Sequence, residues 1–352
     1  MRHTTKLAAL AVTVALVVAG CAKKEQDSAA GASDELCADK SGAGPKIGLA
    51  YDIGGRGDKS FNDLAAAGVK KSLDELDASC EESEAGQQEP DSAKEERLRT
   101  LAEAGYNPVV AVGYVYTEEV NKVAKEYPDI KFAIVDGFGE GPNISNLVFS
   151  VEQGSFLVGV AAALKSKTKK VGFIGGTRGP IIDPFAAGYK AGVAAVDPSI
   201  TVDMKWLSDA ADDKAFANPG GGKTAATALY DAGSDVVFHA AGLSGGGLFD
   251  TVAGKPDGIW AIGVDSDQYQ TATPEQQKHI LTSSLKKVDV AVFDFVKTVK
   301  DGTAKAGFDL YDIKRDGVGY ATSGGFLDDV APKIEEYKAK LVSGELKAPS
   351  KL

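Results

Sequence analysis

Three segments of this 352-residue chain carry residues whose types and spacing suggest chemistry. Gly242-Leu243-Ser244-Gly245-Gly246 fits the G-x-S-x-G nucleophile elbow, and Asp265 and His279 follow in the order of a Ser…Asp…His hydrolase triad. The glycine-rich run from Ala217 to Thr224 fits a permissive phosphate loop, with Lys223 and Thr224 at its end. Gly55 to Ser60 nearly fits G-x-G-x-x-G, but Ser60 stands where the last glycine belongs. Context argues against all three. An HGGG-type oxyanion segment is not found before Ser244. The residues leading into Ala217 are polar and acidic rather than a buried strand, and Asp212 and Asp213 would repel phosphate. Asp58 would sit against a pyrophosphate. The bland reading is glycine-rich turns that cap helices or let backbone approach a ligand. A serine hydrolase using Ser244, Asp265 and His279 stays as a minor alternative.

The elements that must hold these residues read as strands alternating with helices, which implies a mostly parallel sheet. The pattern occurs twice. Lys46–Gly55, Asn107–Tyr114 and Ile130–Gly137 are apolar strands ending in turn residues. Lys170–Gly176, Ser234–Gly242 and Gly258–Asp265 match them in order and character. Helical stretches lie between them: Phe61–Leu76 and Thr117–Tyr127 in the first half, Pro184–Val196 and Lys223–Gly233 in the second. Two such α/β lobes, with Gly, Asp and Asn beyond the carboxyl ends of their strands, form a cleft suited to a ligand. The acidic run Cys80–Arg97 shows no apolar period and reads as a solvated loop and helix start.

Composition narrows the partners. Hydrophobic residues are 43% and charged residues 25%, and the net charge is -11. An acidic surface argues against nucleic acid, whose phosphates need basic groups. No cofactor is expected, because no CxxC or Cys/His cluster suggests a metal and His239 and His279 are far apart in sequence.

The amino terminus reads as an export signal. Arg2 and Lys6 precede the apolar run Leu7–Gly20, which is shorter than the roughly 20 residues of a membrane span. Val18-Ala19-Gly20-Cys21 resembles a bacterial lipobox, which implies cleavage before Cys21 and a diacylglyceryl (palmitate-bearing) thioether on it. The expected location is the extracytoplasmic face of the cell membrane, reached by the lipid alone. Residues 21–45 are rich in small and polar types and read as a flexible tether. That leaves Cys37 and Cys80, an even pair in an exported chain. A disulfide is expected, with two free thiols as the alternative. The loop-entropy relation assigns a bridge closing such a loop about 4 kcal/mol.

The segment Tyr51–Asn62 carries the sharpest family signal and resembles the signature of the basic membrane protein family of bacterial lipoproteins. Phe132–Gly137, Val171–Gly176, Asp183–Tyr189, Val236–Gly242, Ile262–Gln268 and Ile280–Val292 agree in order, so the resemblance covers nearly all of Lys46–Gly325. Members are substrate-binding proteins of ABC transporters, and characterised ones resembling this chain bind purine nucleosides. The family name says basic, whereas this chain is acidic.

The resemblance implies an α/β type I periplasmic-binding-protein fold: two doubly wound parallel-sheet lobes joined by a three-crossover hinge. The boundaries expected are a signal peptide at 1–20, the tether at 21–45, a first lobe of 46–150 plus about 286–312, and a second of 151–285 plus about 313–352. Crossings are expected near Ser150–Gln153, Thr282–Lys286 and Tyr311–Asp316. The implied function is capture of a nucleoside by lobe closure and delivery to an ABC permease, with the protein a monomer and no enzyme; the same lobes used as a sensor of another small polar solute are the alternative. Phe61 and Phe185 occupy the aromatic positions of two matching motifs and are assigned to opposite faces of the base. Asp52 and Asn62 suit its polar edge, since a carboxylate accepts N–H bonds and a carboxamide donates and accepts. Asp265 and Lys286 are assigned to the ribose hydroxyls, with Gly242 letting a backbone N–H approach the sugar. Asp136 ends the corresponding strand of the first lobe. Asp58 and Ser60 serve either the ligand or the cap of the helix that starts at Phe61.

Overall fold

Short apolar runs bounded by turn residues become buried strands of two parallel sheets. The computed structural model describes residues 36–38, 41–86, 89–210 and 212–352. The expected signal peptide, Cys21 and most of the expected tether lie outside the described residues. The strands are β1 (Lys46–Ala50), β2 (Ser79–Ser83), β3 (Val109–Val112), β4 (Phe132–Val135), β5 (Ile144–Phe149), β6 (Lys170–Thr177), β7 (Thr201–Ser208), β8 (Val236–Ala240), β9 (Trp260–Asp265), β10 (Ile280–Lys286), β11 (Gly307–Tyr311) and β12 (Val318–Tyr320). Strands β3, β4 and β8 are buried along their whole length, as a sheet covered on both faces requires.

The strand order is β11-β5-β4-β3-β1-β2 in one sheet and β12-β10-β9-β8-β6-β7 in the other. β1–β5 and β6–β10 take matching positions in the two orders, so the internal duplication covers five strands of each sheet, and β11 and β12 each add the outer edge strand beside β5 and β10. All pairings are parallel except β10 with β12. The chain passes from the first sheet to the second after β5, returns after β10, and passes over again between β11 and β12.

Helices fill the faces. Phe61–Leu76 packs against Val288–Lys300, and Val151–Lys165 against Asp183–Val196. Small residues allow the second pair its close approach: a Cβ on Gly188 would lie 2.2 Å from the carbonyl oxygen of Glu152. This contact fixes the helix whose first turn carries Phe185.

Two readings of the chain are refined. The start of the acidic run is a strand, not a loop: β2 pairs with β1 at the sheet edge, where glutamates can stay solvated while Ser79 and Cys80 are buried. Its solvated face hid the strand from a search for apolar period. The helix expected from Lys223 begins at Pro219 and is capped by Asn218, whose Oδ1 accepts from Gly221 N at 2.9 Å.

Cys37 and Cys80 are joined by a disulfide, with their Cα atoms 5.0 Å apart. Gly44 N donates to Asp77 O at 2.7 Å, and Ala43 N to Asp77 Oδ2 at 3.1 Å. The last part of the expected tether, from Leu36 where it is described, is therefore packed on the first lobe rather than free.

Candidate functional site in the cleft between the lobes

Strand ends of both sheets converge on one cavity of about 610 Å³, counting its open mouth. Asp52, Asp58, Phe61, Asn62, Asp136, Phe185, Gly242, Asp265 and Lys286 all line it. Ser60 does not.

On the first lobe the polar groups form a preset chain. Asp58 accepts from Ser60 N, Asn62 N, Asn62 Nδ2 and Asp63 N at 2.8–3.1 Å, capping the helix that begins at Phe61. Burial pushes its carboxyl up to about 6, against the pull of these donors. Asn62 Oδ1 in turn accepts from Asp52 N at 3.1 Å. The carboxamide is thus oriented by both neighbours and retains one N–H and one lone pair for a ligand. Asp52 stands over Gly113, where φ is +104° and a Cβ would lie 2.3 Å from Asp52 Oδ2. Only glycine fits there.

Asp136 follows β4, and Asp265 ends β9 at the corresponding place in the other sheet. Both are preceded by valine, and both hold left-handed backbone, φ 60° and 63°. Aspartate tolerates that region better than most side chains. Lys286, at the end of β10, reaches Asp136 Oδ2 at 2.5 Å and Asp265 Oδ1 at 3.5 Å. Burial acts to lower the lysine, but the two carboxylates outweigh it and hold its pKa above the ordinary value. Asp265 is raised by burial and by the charge of Asp136, with Lys286 opposing. Its buried Oδ1 makes no hydrogen bond of good geometry and has only the long ion contact with Lys286, so it keeps capacity to accept from a ligand donor.

The aromatic residues differ in exposure. Phe61 is half-buried, with Lys286 Nζ 4.4 Å from its ring centroid. Phe185 is 3% exposed and packs on Phe238, with 6.5 Å between centroids. Gly242 has φ +53°. Ser60 is fully buried, and its Oγ lies 3.1 Å from both Val264 O and Asp265 Oδ2 of the second lobe. It bonds across the lobes rather than into the cavity.

The hydrolase triad is not assembled. Ser244 is fully buried, and its Oγ donates to Ala215 O and accepts from Asn218 N, both at 2.7 Å. His279 precedes β10 and bonds Ile259 O at 2.9 Å, at the opposite end of the sheet from Asp265. Five strand residues put them roughly 15 Å apart. The phosphate-loop match is a packing device: a Cβ on Gly222 would lie 2.0 Å from Ser244 O. Among the described residues, no cluster of His, Cys, Asp and Glu could hold a metal ion.

Phe216, Ile181, Ile182 and Leu243 also line the cavity and were not read from the sequence. Phe216 comes from the acidic segment before Asn218, which has no pattern to mark it. Ile181 and Ile182 directly precede the Asp183–Tyr189 motif, so extending that motif would have reached them.

Two six-stranded lobes around one cleft define a solute-binding protein of the periplasmic-binding type, and comparison with known proteins agrees. Residues 45–351 match the family described as ABC transporter substrate-binding protein PnrA-like. The chain belongs to this Bmp family, whose role implies a solute ligand and a permease partner. It is 34% identical to a CD4+ T-cell-stimulating antigen of Listeria innocua over 100% of both chains. It is 29% identical to the ABC transporter nucleoside-binding protein BmpA of Lactococcus lactis, over 99% of each. A solved ABC transporter solute-binding protein of Aeropyrum pernix superposes with a TM-score of 0.75 at 26% identity, covering 87% of this chain and 94% of that one.

Proposed function

We propose that the chain captures a nucleoside, a purine nucleoside first, and delivers it to an ABC permease from the outer face of a cell membrane. The carrying observation is the pairing at one cavity of ring side chains from both lobes, Phe61 and Phe185, with the buried oxygen Asp265 Oδ1, which makes no hydrogen bond beyond its long ion contact with Lys286. A planar base suits the aromatic walls. A ribose hydroxyl suits the carboxylate acceptor, and Lys286 supplies a donor beside it. Asp52 and the remaining valences of Asn62 suit a base edge that carries N–H. The nucleoside-binding relative supports the same reading.

The charge balance sets a limit on the ligand. Asp52, Asp58, Asp136 and Asp265 face the cavity against the single ammonium of Lys286 among its lining residues. A 5′-phosphate placed there would meet desolvated carboxylates. Calorimetry is expected to show adenosine or inosine binding and adenosine monophosphate binding far more weakly; equal affinities would refute this assignment. Mass spectrometry of small molecules released by denaturation tests the class directly, and a non-nucleoside there would overturn it. The membrane attachment rests on Cys21, and Cys21→Ala is expected to release the chain from the membrane fraction.

A further inference from the structure

Beside the cavity lies a second set of contacts between the lobes; of its residues Lys59, Ser60, Ser266 and Thr271 do not line the ligand space, whereas Val264 and Asp265 do. Lys59 O accepts from Ser266 Oγ at 2.6 Å. Lys59 Nζ donates to Thr271 O at 3.2 Å. Ser60 Oγ stands 3.1 Å from Val264 O and Asp265 Oδ2. We propose that Lys59 and Ser60 of the first lobe, seated against the end of β9 and the segment that follows it to Thr271 of the second, are a latch that holds the lobes closed, its Lys59–Ser266 and Lys59–Thr271 bonds lying outside the ligand space, with Ser266 as its positioning residue. This rests on the lobes opening and closing, not on which solute they hold.

Both halves of the latch are set in advance. Lys59 adopts φ +55°, uncommon for a residue with a side chain, and Asp63 Oδ2 holds its N–H at 3.0 Å. The receiving loop is held from behind by Gln268, whose Oε1 accepts from Val264 N at 2.9 Å and faces His239 Nε2 at 3.0 Å. An amide oxygen only accepts, so the imidazole carries its proton on Nε2. Gln268 N donates to Ser283 Oγ at 3.2 Å, tying the loop to β10. Backbone strained in this way clusters where a clamp must meet its partner.

The bonds across the lobes exist only after closure. They therefore slow release and leave capture unchanged. In Ser266→Ala, the release rate of inosine in stopped flow is expected to rise roughly two- to tenfold, the value of one hydrogen bond, at an unchanged association rate. Small-angle scattering of the ligand-free variant is expected to show a larger radius of gyration than the wild type. Ser266→Thr keeps the hydroxyl and is expected to restore both. A scattering profile identical to the wild type overturns the latch. Failure of inosine to bind overturns the ligand reading alone, and scattering still decides the latch. Should Ser266→Ala not fold, Lys59→Met, which removes the exposed Nζ donor, decides on the same two readouts.

Discussion

The two lobes repeat one strand order, yet they furnish the cleft with different chemistry. The first supplies mostly polar groups, Asp52, Asp58, Asn62 and Asp136, with the ring of Phe61. The second supplies an apolar wall, Ile181, Ile182, Phe185, Phe216 and Leu243, with Asp265 and Lys286 beside it. Even the matched pair diverges. Asp136 and Asp265 share a strand-end position and a left-handed backbone, but Asp136 is hydrogen-bonded to Lys286 at 2.5 Å, while Asp265 Oδ1 has only a 3.5 Å ion contact with it. Duplicated backbone decides where a side chain stands. Its neighbours decide what it can still bind.

The strongest test removes the group that joins the pair. Lys286 belongs to the second sheet and bonds a carboxylate of each lobe. In Lys286→Met both carboxylates stay buried without their cation, and breaking a buried pair from one side costs about 3–5 kcal/mol. Urea unfolding is expected to show that loss, with nucleoside affinity abolished. Wild-type stability would mean that the two lobes do not share this charge. The disulfide offers a contrast of similar size at the far end of the first lobe. Cys37 and Cys80 are 43 residues apart, so reduction is expected to cost about 4 kcal/mol in unfolding experiments. Cys80 lies near the amino end of β2, away from the cleft, so affinity in calorimetry should not move.

The sequence made the centre of each sheet legible and left its margins obscure, for physical reasons. Strands β1, β3 and β4 and their partners β6, β8 and β9 are apolar because helices cover both faces. Edge strand β2 carries Glu81 and Glu82, and Glu82 bonds both Tyr51 and Arg56, so its polarity is structural. The strand-end rule placed Asp52, Asp136, Gly242 and Asp265 at the cavity, because a parallel sheet brings those ends together. It did not separate Ser60, a cross-lobe contact, from the cavity-lining Phe61 beside it, since that depends on the rotation of one helix start. Phe216 was hidden for another reason: it lies in the single 3₁₀ turn Asp213–Ala217, which is too short to show a period.

Asp58 and Asp265 sharpen the comparison, since each lobe buries a carboxylate by a different means. Asp265 has an ammonium beside it, whereas Asp58 has N–H donors at a helix start. The Asp58 carboxyl titrates near 3.8 when exposed and at about 6 in the folded chain. The folded state therefore binds the extra proton between these values. Its contribution is fully present below 3.8 and is lost as pH rises through 6, a change of about 3 kcal/mol. Asp58→Asn cannot titrate. Unfolding curves should show the wild type gaining on the variant as pH falls from neutrality to below 3.8. A constant difference would mean that the N–H donors fully replace the hydration that Asp58 loses on burial.

The smallest expected effect falls on the aromatic pair. Truncating Phe185 cannot isolate stacking, because its ring is packed on Phe238 and belongs to the core. Phe61 is half-buried and is the cleaner probe. Base–aromatic stacking is worth about 1–3 kcal/mol, so Phe61→Ala is expected to weaken inosine binding by roughly five- to a hundredfold in calorimetry. Phe61→Tyr keeps the ring and should retain most of the affinity. Lys286 Nζ, 4.4 Å from that ring, complicates the reading, since a cation–π contact is lost as well. The two contributions separate by ligand. Loss of the cation contact weakens every solute that needs closed lobes, whereas loss of stacking weakens purine nucleosides more than free ribose. A variant equally impaired for both would move Phe61 from the base to the charge cluster, leaving Ile53 and Tyr114 as the first lobe's remaining apolar and ring surface at the cavity.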